Sequence, residues 1–311
     1  MSGEAEPRDV LLESLLRRRG RGSGSERGRE RDPIVMLTAY DFISASIAQE
    51  AGVDIILVGD SAANTVLGYA TTREVSVEEM LVLTRAVRRG APGLPVVGDL
   101  PFGSYEEEDA LAVRTAFAFR RAGADIVKLE GAGPMLDRVR AICAAGIPVM
   151  GHVGLLPQGA ESSADLRARG RTAAEGIAIV EDAVALERAG VSLLVVEAVP
   201  AAVADAITSC VEVPVIGIGA GPSVDGQVLV YPDMLGLTPG SVPRFVRKYA
   251  ELRTEWARAL RAYGGDVRSR TFPSAAEQYG MSDDERLEFG LRLTAIQSGV
   301  RPRPVLPAQS S

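Results

Sequence analysis

The sequence predicts an α/β fold, a (β/α)8 TIM barrel with a C-terminal helical extension. Three observations carry this expectation. Apolar runs of strand length alternate with helical stretches along most of the 311 residues. Most of these runs are near-continuous in Val, Ile and Leu, as parallel strands covered on both faces require. About eight such β-α units fall within roughly 230 residues, the size of a barrel of this type. An open doubly wound sheet is the alternative. It usually brings a Gly-rich first turn, and no G-x-G-x-x-G follows the first strand.

The elements read in order as follows. Residues 1–32, with "RRRGRGSGSERGRERD", hold too few apolar residues to build a core and read as a disordered arm. "VLLESLL" just before that tract is too short and acidic for a secretory segment. Strands are expected at "IVMLTAY", "DIILVGD", "LPVVGDL", "DIVKLEG", "IPVMGHVG", "SLLVVEAV" and "VPVIGIGA", with "GQVLVYPD" as an eighth. Helical patterns lie between them, from "DFISASIAQEAG" to "AAVADAITSC". Four strands follow an Ala-Gly pair, at 51–52, 122–123, 145–146 and 189–190. Glycine there suits the left-handed residue that ends a helix. "GIGAG" (217–221) follows the seventh strand, where barrels often seat a phosphate or carboxylate on backbone N–H groups. "SVPRFVRKYAELRTEWARALRAYG" reads as a long helix from Ser241, and Ser282 with Glu285 has the spacing of a capping box before a last one. The expected divisions are an arm over 1–32, a catalytic barrel over 33–265, and a helical extension with a loose tail over 266–311.

Composition excludes several classes. A net charge of −7 argues against nucleic-acid binding, which needs clustered Lys and Arg. No apolar run reaches the ~18–20 residues of a membrane span. The two cysteines, Cys143 and Cys210, fit reduced core thiols of a cytoplasmic protein better than a disulfide framework. The single histidine, His152, rules out His-rich zinc sites. A metal here relies on carboxylates, which points to magnesium or manganese.

The chemistry is expected at the strand ends. Asp60 ends the second strand and is followed by Ser61; Asp99 ends the third. Lys128 and Glu130 end the fourth, His152 the fifth and Glu197 the sixth. One acid at a strand end is commonly a turn residue or helix cap. Five consecutive strands ending in titratable side chains indicate a shared site at the C-terminal mouth of the barrel. Carboxylates there can hold a hard divalent ion, which stabilises the enolate of a 2-oxo acid. A further carboxylate can remove the proton beside the carbonyl, and a lysine and a serine can hold the substrate.

The motifs "TAYD", "LVGDS", "AVRRGAP", "GDLPF", "VKLEG", "GIPVMGHVGLLPQ", "LLVVEAVP", "VPVIGIGAG" and "DGQVLVYPDMLGL" follow in order, within a resemblance that runs from about Ile34 to about Tyr279. They resemble the ketopantoate (3-methyl-2-oxobutanoate) hydroxymethyltransferase family, within the phosphoenolpyruvate mutase and isocitrate lyase-like superfamily. The resemblance implies a (β/α)8 barrel, Mg2+, 5,10-methylenetetrahydrofolate as one-carbon donor, and a homo-oligomer, often a decamer. By position, Asp60, Asp99 and Glu130 match the metal acids. Asp60, Ser61, Asp99, Lys128 and His152 match the substrate site, and Glu197 matches the base.

Two segments depart from the family pattern. "ADLRARGR" (164–171), after "GAESS", replaces a Gly-Gly-Tyr-Lys-Val-Gln-Gly-Arg loop. "VLGYATTREVS" (66–76) places Leu67 at a usual Gln and Arg73-Glu74 at a usual Leu-Pro. The segment 159–171, with Arg167, Arg169 and Arg171, is expected to act as a lid over the mouth. The reaction read from the sequence is hydroxymethyl transfer to 3-methyl-2-oxobutanoate. The rivals are the same step on another 2-oxo acid, a lyase of the wider superfamily, and a non-catalytic paralogue.

Overall fold

The computed structural model describes residues 7–16, 32–160 and 165–299. The chain divides into two compact units, Met1–Leu252 and Arg253–Ser311.

All eight expected strands form. They are β1 (Ile34–Thr38), β2 (Ile55–Val58), β3 (Val96–Asp99), β4 (Ile126–Lys128), β5 (Val149–Gly154), β6 (Leu193–Glu197), β7 (Val215–Ile218) and β8 (Gly226–Leu229). They pair in parallel in sequence order, and β8 pairs with β1 to close the barrel. The helices of this unit are α1 (Pro7–Leu16), α2 (Phe42–Glu50), α3 (Val77–Gly90), α4 (Asp109–Ala122), α5 (Met135–Ala144), α6 (Ala173–Ala189), α7 (Ala201–Cys210) and the short α8 (Tyr231–Met234).

Local chemistry sets the helix ends. Asp41, Ser76 and Thr172 cap α2, α3 and α6 by accepting backbone N–H groups that have no partner within the helix. Gly123 and Gly190 take the left-handed conformation that closes α4 and α6, as the Ala-Gly pairs predicted.

Two apolar layers result from the alternation of side chains along each strand. One face packs outward against the helices, through residues such as Val58, Val127, Val149 and Val196 with Met80, Phe119 and Leu186. The other fills the barrel with Met36, Ile55, Val97, Ile126, Met150 and Val195. Leu15 of α1 joins this inner cluster and is fully buried, with Leu11, Leu12 and Leu16 beside it. Residues 7–16 are therefore a packed helix where the sequence suggested part of a disordered arm. The leucines of "VLLESLL" have an apolar partner in the barrel interior that composition alone does not show. Residues 1–6 and 17–31 of that arm lie outside the described residues.

Two further expectations change. The helix expected from Ser241 begins only at α9 (Leu252–Ser269). Residues 241–251 are irregular, because Pro243 lacks the N–H a helix interior needs and residues 242–246 line the mouth of the barrel. Cys210 is exposed and Cys143 half-buried, so neither is a core thiol, and both are free. The second unit holds the rest of α9 and α10 (Asp283–Gln297), which Ser282 caps at the Glu285 N–H. The expected boundary at residue 265 falls inside α9. No helix among the described residues is long and apolar enough to cross a membrane.

Close packing of α2 on α3 makes a testable point. A Cβ on Gly90 would lie 2.3 Å from the Phe42 carbonyl oxygen, a backbone atom that cannot rotate away. Gly90→Ala gains about 1 kcal/mol of helix propensity but meets the upper end of the overpacking cost, about 3 kcal/mol. The net expectation is a loss of about 2 kcal/mol in urea unfolding. Gly146→Ala, at φ +79° with open space around it, should lose only the left-handed penalty of about 1 kcal/mol.

Candidate active site

Strand register builds the mouth of the barrel. Two residues beyond the interior positions Met36, Val97, Ile126, Met150 and Val195 stand Thr38, Asp99, Lys128, His152 and Glu197. Period-two alternation therefore carries each of these polar residues inward, one layer above the apolar filling. Asp60 follows β2 through Gly59.

Asp99 and Lys128 are register partners on β3 and β4. The Lys128 Nζ donates to Asp99 Oδ1 at 2.7 Å and Oδ2 at 2.9 Å, and Glu130 Oε1 stands 3.7 Å away. Burial works against the ammonium, but Asp99, Glu130 and Asp60 overcome it and hold the amine above the ordinary lysine range. The Asp60 backbone N–H donates to Asp99 Oδ2 at 3.1 Å. Burial, then the Asp99 charge, pushes the Asp60 carboxyl well up. Asp99 is also raised by burial, with Lys128 opposing.

His152 lies between two acids. Its Nδ1 is 3.4 Å from Glu130 Oε1 and its Nε2 is 3.3 Å from Glu197 Oε2. Neither contact is aligned as a hydrogen bond. Burial opposes the imidazolium, yet the two carboxylates push His152 up to about 9. Burial also disfavours the Glu130 charge, but His152 and Lys128 win and lower it. Four carboxylates thus face two cations, which leaves an excess of negative charge in a buried site.

Gln158 is the residue that sequence reasoning missed. It is 3% exposed. Its Nε2 donates to Asp60 Oδ2 at 3.0 Å and to the Leu100 carbonyl at 2.9 Å. Its backbone N–H donates to Glu130 Oε2 at 2.9 Å, and its Oε1 accepts the Tyr105 hydroxyl at 2.6 Å. One amide side chain and its own backbone therefore tie two acids from different strands. The signal was present in "LLPQ", but a glutamine does not titrate and attracted no role. Tyr40 was also missed; its hydroxyl pairs with Ser61 Oγ at 2.7 Å.

All seven predicted residues except Ser61 are in or beside this network, and Ser61 lines the same cavity. That cavity is about 950 Å³ and is walled by apolar side chains such as Leu155, Val195 and Val228. Residues 166–168 of the altered loop reach it, as do Ala70, Thr71 and Thr72 of the altered segment. Of the three loop arginines only Arg167 lines it; Arg169 and Arg171 line, with Arg167, a separate recess. Residues 161–164 lie outside the described residues. The loop is anchored beside Glu197, since the Arg169 N–H donates to the Ala198 carbonyl at 2.9 Å. Ala198 has φ +48°, a left-handed conformation costing about 1–2 kcal/mol for a residue with a Cβ, and it turns the chain directly after Glu197. At "GIGAG", the Phe245 ring covers the side of Gly219 where a Cβ would stand, 2.5 Å from that position.

Among the described residues no three acids, cysteines or histidines converge as a ready-made chelate.

A family model described as ketopantoate hydroxymethyltransferase matches residues 25–275. A 3-methyl-2-oxobutanoate hydroxymethyltransferase of Acidothermus cellulolyticus is 46% identical over 281 residues, covering 90% of this chain and all of that one. A protein of the same name from Oleidesulfovibrio alaskensis is 49% identical over 254 residues, 81% of this chain and 88% of its own. Among solved structures, phosphonopyruvate hydrolase in complex with oxalate and Mg++ aligns with TM-score 0.57 at 13% identity, over 94% of this chain and 99% of that one. A 2,3-dimethylmalate lyase of the PEP mutase/isocitrate lyase superfamily aligns with TM-score 0.53 at 15% identity, over 93% and 100%. At such identities the structural likeness concerns the fold alone. The match along the sequence decides the family: the chain belongs to the ketopantoate hydroxymethyltransferase family, a family of enzymes.

Proposed function

We propose that the protein transfers a hydroxymethyl group from 5,10-methylenetetrahydrofolate to 3-methyl-2-oxobutanoate, forming 2-dehydropantoate. The observation that carries this reading is the buried network of Asp60, Asp99, Lys128, Glu130, His152 and Glu197 at one end of a large cavity. Among these acids Glu197 is the more accessible, its side chain 17% exposed against 3% for Glu130. It is placed to take the proton from C3 of the oxo acid. His152 keeps its carboxylate turned into the mouth, and water exclusion by the apolar wall protects the carbanionic carbon until it meets the one-carbon unit. Ser61, backed by Tyr40, is placed to receive the substrate carboxylate. Lys128 is engaged by Asp99, so its main part is to hold that acid and add positive charge to the floor of the site.

The donor set fits Mg2+. Asp60 and Asp99 offer hard oxygen ligands, and the excess negative charge is what a divalent cation would neutralise. Mg2+ binds through one or two carboxylates and keeps several waters, so no three-residue chelate is needed. When bound, the ion supplies Lewis-acid polarisation of the 2-oxo group, with Glu130 holding a water or outer contact. A homo-oligomer in the cytoplasm completes the reading. The exposed Trp256, Leu260 and Tyr263 of α9 offer apolar surface for self-association.

Deuterium exchange at C3 across a panel of 2-oxo acids, with Mg2+ and without folate, tests the reading and separates enolisation from one-carbon transfer. Exchange confined to a different oxo acid would favour the paralogue alternative, and absence of exchange on any would favour the non-catalytic one. Asp60→Asn or Asp99→Asn should weaken Mg2+ binding in calorimetry and abolish exchange while the circular dichroism spectrum is kept. Metal-independent exchange at the parental rate would remove the metal role. Glu197→Gln should bind Mg2+ and oxo acid normally and lose roughly 10²- to 10⁴-fold in exchange rate, the usual worth of a positioned base. A change in KM alone would make Glu197 a binding group. Arg167→Ala should raise KM for the folate several-fold, more at low salt than at high, because exposed charge pairs are screened. Equal folate kinetics at both ionic strengths would leave the loop a simple connection.

A further inference from the structure

Asp233 is a buried acid that the enolisation chemistry leaves unused. It sits on α8, directly after β8, is 8% exposed, and lines the cavity that also holds Asp60 and Glu197. Its Oδ1 accepts the Thr238 hydroxyl at 2.5 Å, and the carboxylate lines the cavity wall. Arg167 and Arg244 line the same cavity, yet among the described residues neither forms an ion pair with it. Burial raises its carboxyl, with the Thr238 bond opposing. A carboxylate in a cavity wall is a strong acceptor for a donor that enters the cavity.

The character of that donor follows from the two substrates. A small 2-oxo acid carries only acceptors and cannot satisfy a carboxylate. It also needs little of a cavity of about 950 Å³, which lies at the upper end of the range for drug-sized ligands. The remaining volume and the remaining acid therefore belong to the second substrate. Val230, Val242, Phe245 and Val246 line the same cavity as Asp233, with Thr238, Ser241 and Arg244 among them. A carboxylate offers two coplanar acceptors, and an oxygen that already takes one hydrogen bond still has a lone pair.

We propose that Asp233 reads the donor edge of a 2-amino-4-oxopyrimidine ring, the end of a reduced folate that presents a ring N–H beside an exocyclic NH2. Both donate to the carboxylate as charge-assisted hydrogen bonds, which are short and about twice as strong as neutral ones. The apolar wall around Phe245 covers the faces of the ring. This assignment rests on the folate reading of the one-carbon donor. It places the ring at the β8 side of the mouth, so that the methylene carbon, which the ring system carries, is presented toward the acid cluster.

Calorimetry on the full chain tests it. The probes are tetrahydrofolate, 6-methyltetrahydropterin, its 2-desamino-2-methyl analogue, and p-aminobenzoylglutamate, which lacks the ring. Asp233→Asn should weaken 6-methyltetrahydropterin by about tenfold or more, the worth of one lost charged hydrogen bond, and leave p-aminobenzoylglutamate unaffected. On the unaltered protein, which needs no variant to fold, the desamino analogue should bind about tenfold more weakly than the parent ring. Thr238→Val is the control for a purely structural staple of the 233–238 turn. If it lowers the melting point and ring affinity as much as Asp233→Asn, the assignment fails. Equal binding of the two ring analogues, or ring affinity in Asp233→Asn within twofold of the unaltered chain, also overturns it while tetrahydrofolate still binds. If the unaltered chain enolises an oxo acid but binds neither tetrahydrofolate nor the ring, the folate reading falls and takes the assignment with it.

Discussion

The arrangement at the barrel mouth depends on one buried ammonium. Lys128 donates twice to Asp99 and stands near Glu130, and all three are almost wholly removed from water. Breaking such a pair by removing one partner typically costs about 3–5 kcal/mol, because an uncompensated charge stays behind. The pair exists because β3 and β4 align Asp99 directly opposite Lys128. Backbone hydrogen bonds along the closed sheet therefore fix this contact, and the site inherits the rigidity of the barrel.

Around that pair the acids are held by groups that carry no charge or share theirs. Gln158 ties Asp60 to Glu130, Tyr105 closes the other side of Gln158, and His152 spans Glu130 and Glu197. The result is a buried site rich in negative charge whose excess a divalent cation would offset. Such a site is expensive without its ligands, and the raised carboxyls of Asp60 and Asp99 express the same cost as proton affinity.

The two halves of the mouth differ. The β2–β6 side gathers the charged groups Asp60, Asp99, Lys128, Glu130, His152 and Glu197. The β7–β8 side, with Gly219, Val230, Asp233 and residues 242–246, is mostly apolar with one acid and one arginine, Arg244. The proposed two-substrate reaction suits such a division, since polarising an oxo acid and enclosing a larger donor demand opposite surfaces. The altered segments 66–76 and 159–171 both supply residues to this rim, and the acid floor beneath them keeps every expected side chain.

The sequence by itself determined the barrel and the acids that serve it. Continuous Val/Ile/Leu runs, Ala-Gly helix ends and strand tips at Asp60, Asp99, Lys128, Glu130, His152 and Glu197 are local patterns, and alternation along a strand carries them to one end of a closed sheet. Tertiary structure alone decided the rest. Leu15 is buried only because the barrel interior offers an apolar partner to α1, which no arginine- and glycine-rich context announces. Residues 241–251 leave the helical pattern because Phe245 and its neighbours pack over the mouth. Gln158 joins Asp60 and Glu130 across 98 and 28 residues of sequence. Non-titrating groups acquire such roles only through distances, and distances between remote residues are set by the closing of the sheet rather than by any local spacing.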